Sequence, residues 1–419
     1  MKPSVLSSQA RSQDDAPWQS SSATLLATVY FIYFFCGLTQ CFESVFLPEF
    51  KEYFHLNYQQ QMYTMFAKNI PFLLAAAIGY AIRYTGYKNC LTVAMALFAA
   101  GTLLLIPGLR SGSYAVVLSG FFLIGLGFNC EIVAGNPMLS ALGPAQEGSS
   151  RLNLGNALGA VAQIIAPATL SIIIPASAMT AQARLPYMEG LFLTLGVVLA
   201  VVSIVTLLLK DVDVRTSFQT AAVQAGPRWF PPRVLMGFIA IFLTLGVEAG
   251  LFGFFRNFVE DPAIAGFSAR QSQMAFTIYL AVFALGRLLA SRLQRRVHPA
   301  LYLLIHLAGA LLCLTIMLLT KGMWAVAALM ALGFFVSILF PTLYALAIEN
   351  QGERTGQVSG LLTMGFAGCS LIPVVQGKLA DSIGLQYSYV LGFAAYGFTA
   401  VHALRLFVQQ RSRGSEVAA

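Results

Sequence analysis

Charge is what this 419-residue chain most lacks: Asp, Glu, Lys and Arg together make up 10% of it, against 58% hydrophobic residues. A soluble domain carries about 25% charged residues, so a water-soluble globular body is excluded and a polytopic membrane protein is expected, in keeping with a mean hydropathy of +0.73. Histidine is scarce too, with four residues (55, 298, 306, 402) scattered along the chain, and there is no P-loop, no G-x-S-x-G and no metal-ligand cluster. Those absences exclude catalysis and ATP-driven pumping, so we expect no enzyme, no cofactor and no metal. The six cysteines (36, 41, 90, 130, 313, 369) show no zinc spacing and no CxxC, which leaves packing as their role. Only three tryptophans occur, at 18, 229 and 324, all in loops or at span ends, so no indole platform is available to a ligand. Ten-residue alternation is missing, which excludes a membrane β-barrel. The opening MKPSVLSSQARSQDDAPWQSSS has no basic-then-apolar layout; it reads as a disordered cytosolic tail (1–22), not as a signal peptide.

What remains is apolar length. Twelve segments of about 20 residues each can cross a hydrocarbon core of about 30 Å as helices: 24–46, 60–82, 90–108, 114–142, 153–176, 188–209, 233–257, 272–293, 300–319, 322–348, 356–378 and 387–408. Lipid offers no partner to an unpaired backbone group, so helices are required. With the N-terminus inside, 17 of the Lys and Arg fall on the inner side and seven on the outer side, while Lys68 lies within a span. That bias predicts cytoplasmic termini in a cell (inner) membrane. The net charge of +8 is therefore a topology signal scattered over short loops, with no basic face for nucleic acid.

The longest internal loop, 210–232, ends in Pro231-Pro232 and divides the chain into a six-span bundle at 23–209 and another at 233–408, followed by a cytosolic tail at 409–419. The halves echo each other. PMLSALGPAQEG (137–148) and PTLYALAIENQG (341–352) share Pro, Leu, Ala, Leu and Gly, and GYAIRYTGYK (79–88) matches GRLLASRLQRR (286–296) as glycine followed by basic residues. Duplicated six-helix bundles with a path between them are a transporter architecture, and the expected fold class is all-α, with twelve transmembrane helices in two pseudo-symmetric bundles.

Six stretches carry a family likeness over nearly the whole chain: ESVFLPEFK (43–51), AGNPMLSALGP (134–144), RLNLG (151–155), GVEAGLFGFFRN (246–257), GRLLASRL (286–293) and FPTLYALAIENQGE (340–353). With these the chain resembles the major facilitator superfamily, and within it the fucose:proton symporter family, which includes glucose/galactose and N-acetylglucosamine transporters. The resemblance implies a monomeric carrier that takes up a monosaccharide by alternating access with protons as the coupling ion. There are departures. Gly79 is followed at the motif spacing by Arg83 where the superfamily has an acidic residue; Ser44 stands where the family has an aspartate, with Glu43 beside it; and Glu131 lies five residues before Asn136-Pro137, not four. A one-residue shift turns a helical side chain by about 100°.

Four ionisable residues sit well inside spans: Glu43, Lys68, Glu131 and Glu248. Each costs about 2.5–3.5 kcal/mol at the bilayer centre on insertion scales and so is a functional candidate. Glu131 and Glu43 are the candidate proton carriers; static pairing with Lys68 is the alternative for Glu131, and an interfacial position is the alternative for Glu43. Lys68 is expected to neutralise Glu43 or Glu131, and binding an anionic substrate or snorkelling to an interface stay open for it. A carboxylate neutralised permanently by a cation is a poor proton carrier, and would favour a uniporter. Glu248, among Gly246, Gly250, Gly253 and three phenylalanines, is a substrate-binding candidate; the resemblance implies sugar contact at this position. Phe252 joins it as a candidate for the C–H face of a sugar, with core packing as the alternative. Gln40 lies three residues from Glu43 and can share its face. Asn156 and Gln163, seven apart, share a face of the fifth span and complete the candidates with Asn136, for which satisfying backbone opened by a kink at Pro137 is the alternative. Helix-to-helix bonding by such polar groups is common in membranes. Export of a metabolite, an anionic sugar substrate, and a sensor that binds without transport are the competing functions; tails of 22 and 11 residues (1–22, 409–419) leave little for a sensor's added module.

Overall fold

The computed structural model describes residues 20–142, 148–173, 180–210, 230–293, 297–349 and 355–418. Most of the tail at 1–22 and of the linker at 210–232 lies outside the described residues, as do the side chains of Arg83, Asn153 and Gln357. The described chain is helical and crosses from end to end twelve times. Ten helices are long and apolar enough to span a membrane. The second pass (58–85) is interrupted, and the fifth, Gly148–Ile173, has a shorter apolar stretch at Leu154–Pro167. The first pass runs Ser20–Tyr53, the third Tyr87–Arg110, the fourth Tyr114–Ala141 and the sixth Ala181–Leu208. The seventh is Pro232–Glu260, the eighth Ala269–Leu293 and the ninth Pro299–Leu319. The tenth (322–348) and eleventh (355–383) are interrupted, and the twelfth follows Tyr389 as Leu391–Ala418. An even number of passes leaves both ends of the described chain on one side, called here the terminal side; the opposite one is the far side.

Lipid supplies no hydrophobic drive between helices, so close contact rests on small residues and buried polar groups. At Gly37 of the first pass a Cβ would overlap the backbone of Gly159 in the fifth. At Gly101 of the third it would come within 2.6 Å of the Gly120 carbonyl in the fourth. Both crossings need glycine because backbone meets backbone.

The interruptions have local causes. In the second pass the helix Tyr63–Asn69 tightens into a 3₁₀ turn at Ile70–Leu74, where Pro71 has no N–H to continue the ladder. Asn129 Nδ2 of the fourth pass donates to the Pro71 carbonyl at 2.6 Å, so a neighbouring helix meets the backbone group that the turn leaves over. The eleventh pass has its own 3₁₀ turn at Met364–Ala367, where Gly365 and Gly368 lie against the backbone of Phe242 in the seventh. In the tenth, Gly322–Val336 and Leu339–Ile348 are separated at Ser337, whose Oγ donates to the Phe334 carbonyl at 2.8 Å. The fourth pass, where Pro137 suggests a kink, stays a continuous helix to Ala141.

Candidate functional site

On the far side the two halves are held together by charge. Arg256 of the seventh pass is buried, and its guanidinium donates to both carboxylate oxygens of Glu49 in the first pass, at 2.8 and 2.7 Å. It also donates to Glu260 at 2.7 and 3.0 Å and to the Val45 carbonyl. Beside it, Gln61 Nε2 donates to Asn257 Oδ1 at 2.8 Å, and Asp381 of the eleventh pass accepts from the backbone N–H groups of Tyr58 and Gln59 at 2.8 and 2.9 Å. Those two donors open a helix and have no partner within it. Among the described residues Arg256–Glu49 is the one ion pair that joins the halves. Removing one partner of a buried pair costs about 3–5 kcal/mol. Arg184 of the sixth pass stays 3.4 Å from Glu49, so Arg256→Gln does not strand that carboxylate and is expected to lower the population of the form joined on the far side by about tenfold or more. Chemical cross-linking between cysteines placed at 61 and 257 measures it: cross-linking falls sharply in the variant, and unchanged cross-linking contradicts the assignment. The six native cysteines are all buried, which keeps the background low.

One level deeper, Lys68 pairs with Glu43 across the first and second passes, and both side chains are buried. Each lies ten residues from its far-side helix end (Tyr53 and Tyr58), a depth of about 15 Å at 1.5 Å per residue. Glu248 lies twelve residues from Glu260 on the seventh pass, at a similar level. Cys369 of the eleventh pass is within electrostatic reach of Glu248, Lys68 and Glu43 together, so charges of both halves gather at this level too. Glu248 is half-buried.

A row of four phenylalanines lies next. Phe72 of the second pass stacks on Phe366 of the eleventh at 5.3 Å and 19°. Phe128 of the fourth meets Phe72 at 5.5 Å, and Phe340 of the tenth meets Phe366 at 5.1 Å, both edge-on. Such offset and edge contacts add about 0.5–1.5 kcal/mol each beyond burial. The row joins the 3₁₀ turns of two passes from opposite halves.

Glu131, one helical turn beyond Phe128 toward the terminal side, is 2% exposed. Its described polar neighbours are Tyr33 and Cys36 of the first pass, and its Oε1 has no hydrogen-bond partner in the protein. The Tyr33 hydroxyl donates to Asn136 Oδ1 at 2.6 Å. Between Glu131 and Asn136 stands Gly135, where a Cβ would lie 3.0 Å from the Tyr33 hydroxyl and 3.4 Å from Glu131 Oε1. The glycine thus makes room for the tyrosine beside the carboxylate.

The other candidates lie on the first, fifth and seventh passes. Gln40 and Gln163 are half-buried, and Asn156 is exposed. The Phe252 ring packs edge-on against Phe276, Tyr279 and Phe283 of the eighth pass at 5.5–6.1 Å. Tyr33, the phenylalanine row, and the Glu49–Arg256 and Asp381 contacts were not singled out from the sequence. One signal for the ion pair was present, an arginine and a glutamate each placed near a far-side helix end.

Comparison with known proteins agrees with this architecture. A model of the Major Facilitator Superfamily matches residues 29–373 and, again, 266–418. The glucose/galactose transporter of Brucella abortus (strain 9-941) is 28% identical over 390 residues, spanning 92% of this chain and 95% of that protein. The L-fucose-proton symporter of Escherichia coli is 25% identical over 417 residues, spanning 91% and 92%. Among solved structures, that of the E. coli fucose:proton symporter matches with a TM-score of 0.63 at 22% identity, over 92% of this chain and 99% of that one. An inward-facing bacterial homologue of the lysosomal transporter Spinster matches with a TM-score of 0.68 at 15% identity, over 94% and 97%.

Proposed function

The chain belongs to the major facilitator superfamily, a family of transporters and not of enzymes, and within it we propose a proton-coupled importer of a monosaccharide. The termini lie in the cytoplasm and the far side faces out from the cell (inner) membrane, as the excess of Lys and Arg on the terminal side supports. The carrier works as a monomer, with sugar and protons as its partners.

The observation that carries the reading is the setting of Glu131: a buried carboxyl beside a tyrosine, with neither of its described polar neighbours a cation. Such a group can hold a proton in one state of the carrier and give it up in the other. Glu43, ion-paired to Lys68, is already neutralised within the protein and is assigned a fixed structural role. Sugar hydroxyls are met between the halves by Glu248 and Gln40 near the middle depth, with Asn156 and Gln163 on the fifth pass and Asn136 at the Glu131 level; Phe252 shapes the wall. Similarity to sugar carriers over nine-tenths of the chain supports the substrate class. When the far side closes through Arg256, the sugar is released toward the terminal side and the proton follows from Glu131.

Uptake of a panel of radiolabelled sugars into proteoliposomes, with and without an inward proton gradient, tests this. One neutral monosaccharide is expected to accumulate only with the gradient. Equilibration indifferent to the gradient would mean a uniporter. Uptake of uronic or sialic acids alone would mean that Lys68 serves an anionic substrate, and no uptake at all would point to export.

A further inference from the structure

Four hydroxyls in the second half have no part in the sugar path. Tyr279 of the eighth pass, Tyr389 ahead of the twelfth, Tyr396 within it and Ser370 of the eleventh are 0%, 1%, 0% and 0% exposed, in that order. None of their oxygens has a hydrogen-bond partner in the protein. Leaving a buried hydroxyl unsatisfied forfeits its hydration without return, so each calls for a specific partner.

Two of the tyrosines, Tyr279 and Tyr396, lie near one carboxyl, and Tyr389 lies near Tyr279. Tyr279 lies within electrostatic reach of Glu248, Tyr396 and Tyr389, and Tyr396 within reach of Glu248. Tyr389 is near the far-side end, Tyr279 is ten residues into the eighth pass from Ala269, and Glu248 twelve residues into the seventh from Glu260. At 1.5 Å per residue those depths are about 15 and 18 Å, so the hydroxyls step from the far side down toward Glu248. Apolar rings hold them: Tyr279 packs on Phe255 at 5.0 Å and Phe276 at 6.2 Å, and Tyr389 on Phe258 at 5.5 Å. The Tyr279 and Tyr396 hydroxyls come within electrostatic reach of Glu248 and have no hydrogen-bond partner in the protein, a need that bridging molecules with both donor and acceptor capacity satisfy. Water held by two to four polar groups meets that need.

We propose that these tyrosine hydroxyls and Glu248 bind a short file of internal water in the C-terminal half, and that the file delivers protons from the far side to Glu248. Glu248 thereby becomes a second proton-binding group beside Glu131. The step is proton transfer alone: the innermost water gives a proton to a Glu248 carboxylate oxygen and regains one from the water behind it. The charged and titratable groups facing Glu248 are Arg287 and Tyr279 on the eighth pass, Tyr396 on the twelfth and Cys369 on the eleventh, with Lys68 and Glu43 reaching Cys369 from the other half. Arg287 is engaged elsewhere: its Nε donates to the Ser337 carbonyl at 3.0 Å and its guanidinium lies over the Phe283 ring at 4.6 Å. The proposal concerns where protons bind and does not rest on the carrier reading, in which coupling of proton to sugar stays with Glu131.

Infrared difference spectroscopy of proteoliposomes after a pH jump, with no sugar present, tests it apart from transport. Two protonated-carboxyl bands are expected in the unmodified protein, one lost in Glu131→Gln and the other in Glu248→Gln. In Tyr279→Phe/Tyr396→Phe the second band is expected to shift in frequency and to form about tenfold more slowly when acid is added on the far side alone. A Glu248→Gln spectrum identical to that of the unmodified protein overturns the proposal. So does a tyrosine variant that leaves both frequency and rate unchanged, and this variant decides alone if Glu248→Gln does not fold. Absence of sugar uptake would sink the sugar reading while leaving these bands where they are.

Discussion

Glu131→Gln is expected to abolish concentrative sugar uptake while leaving sugar exchange across the membrane intact. The amide keeps the size of the side chain and its contact with Tyr33, so the packing around Gly135 survives. What disappears is, among the described residues of the first half, the one buried carboxyl with no cation as its neighbour. One pH unit corresponds to about 1.4 kcal/mol, or about tenfold accumulation for one proton per sugar. The unmodified protein is expected to approach that ratio, and the variant to settle at equal concentrations inside and out. Counterflow, in which labelled sugar exchanges against unlabelled sugar without net proton movement, is expected to continue in the variant within a fewfold of the normal rate. Loss of both activities would recast Glu131 as a structural group. Accumulation preserved in the variant would remove it from coupling.

The Glu43–Lys68 pair is expected to behave in the opposite way, with large single effects and a small combined one. Lys68→Met strands a carboxylate in the first half, and Glu43→Gln strands an ammonium; each is expected to cost about 3–5 kcal/mol, because an uncompensated charge is left where lipid and protein exclude water. Replacing both removes the charges together, and a neutral pair of similar volume is often no less stable than the ion pair. The double variant is thus expected to recover most of the Tm and of the counterflow rate lost in either single variant. It is also expected to retain proton-driven accumulation, since a pair that neutralises itself does not gain or lose a proton in the cycle. A melting series on the three variants, with uptake measured alongside, is sufficient. If the double variant is folded yet cannot concentrate sugar, Glu43 belongs to the coupling path.

Much of the architecture was legible in the sequence because the bilayer leaves few choices: twelve apolar segments, a central polar loop and the Pro-x-Leu-x-Ala-Leu echo all point to a duplicated helical carrier. Partners were harder to assign than spans. Lys68 could have met Glu43 or Glu131 on composition alone. The hairpin settles it, because Glu43 and Lys68 are equally far from the turn joining the first two passes, and Glu131 is at a different depth. Arg256 counted as one more outer-side charge, since its sequence neighbourhood cannot reveal that Glu49 and Glu260 enclose it. Tyr33 and the Phe72–Phe366 stack were invisible for another reason. In a chain where Phe, Tyr and Trp make up 12% of residues, an aromatic within an apolar run carries no signal until a partner from another pass is known. Proline has two outcomes here. Pro137 leaves the fourth pass a continuous helix, whereas Pro71 accompanies a 3₁₀ turn whose carbonyl Asn129 satisfies.

The central claim is that sugar and proton cross together, and the most direct measurement is the pH inside proteoliposomes when sugar is added outside with no gradient imposed. Sugar entering with protons is expected to acidify the lumen in the unmodified protein, with a dye trapped inside reporting the change, and to leave it unchanged in Glu131→Gln although labelled sugar still equilibrates. Sugar entry into liposomes of the unmodified protein with no acidification would contradict proton coupling and leave a carrier that only equilibrates its substrate.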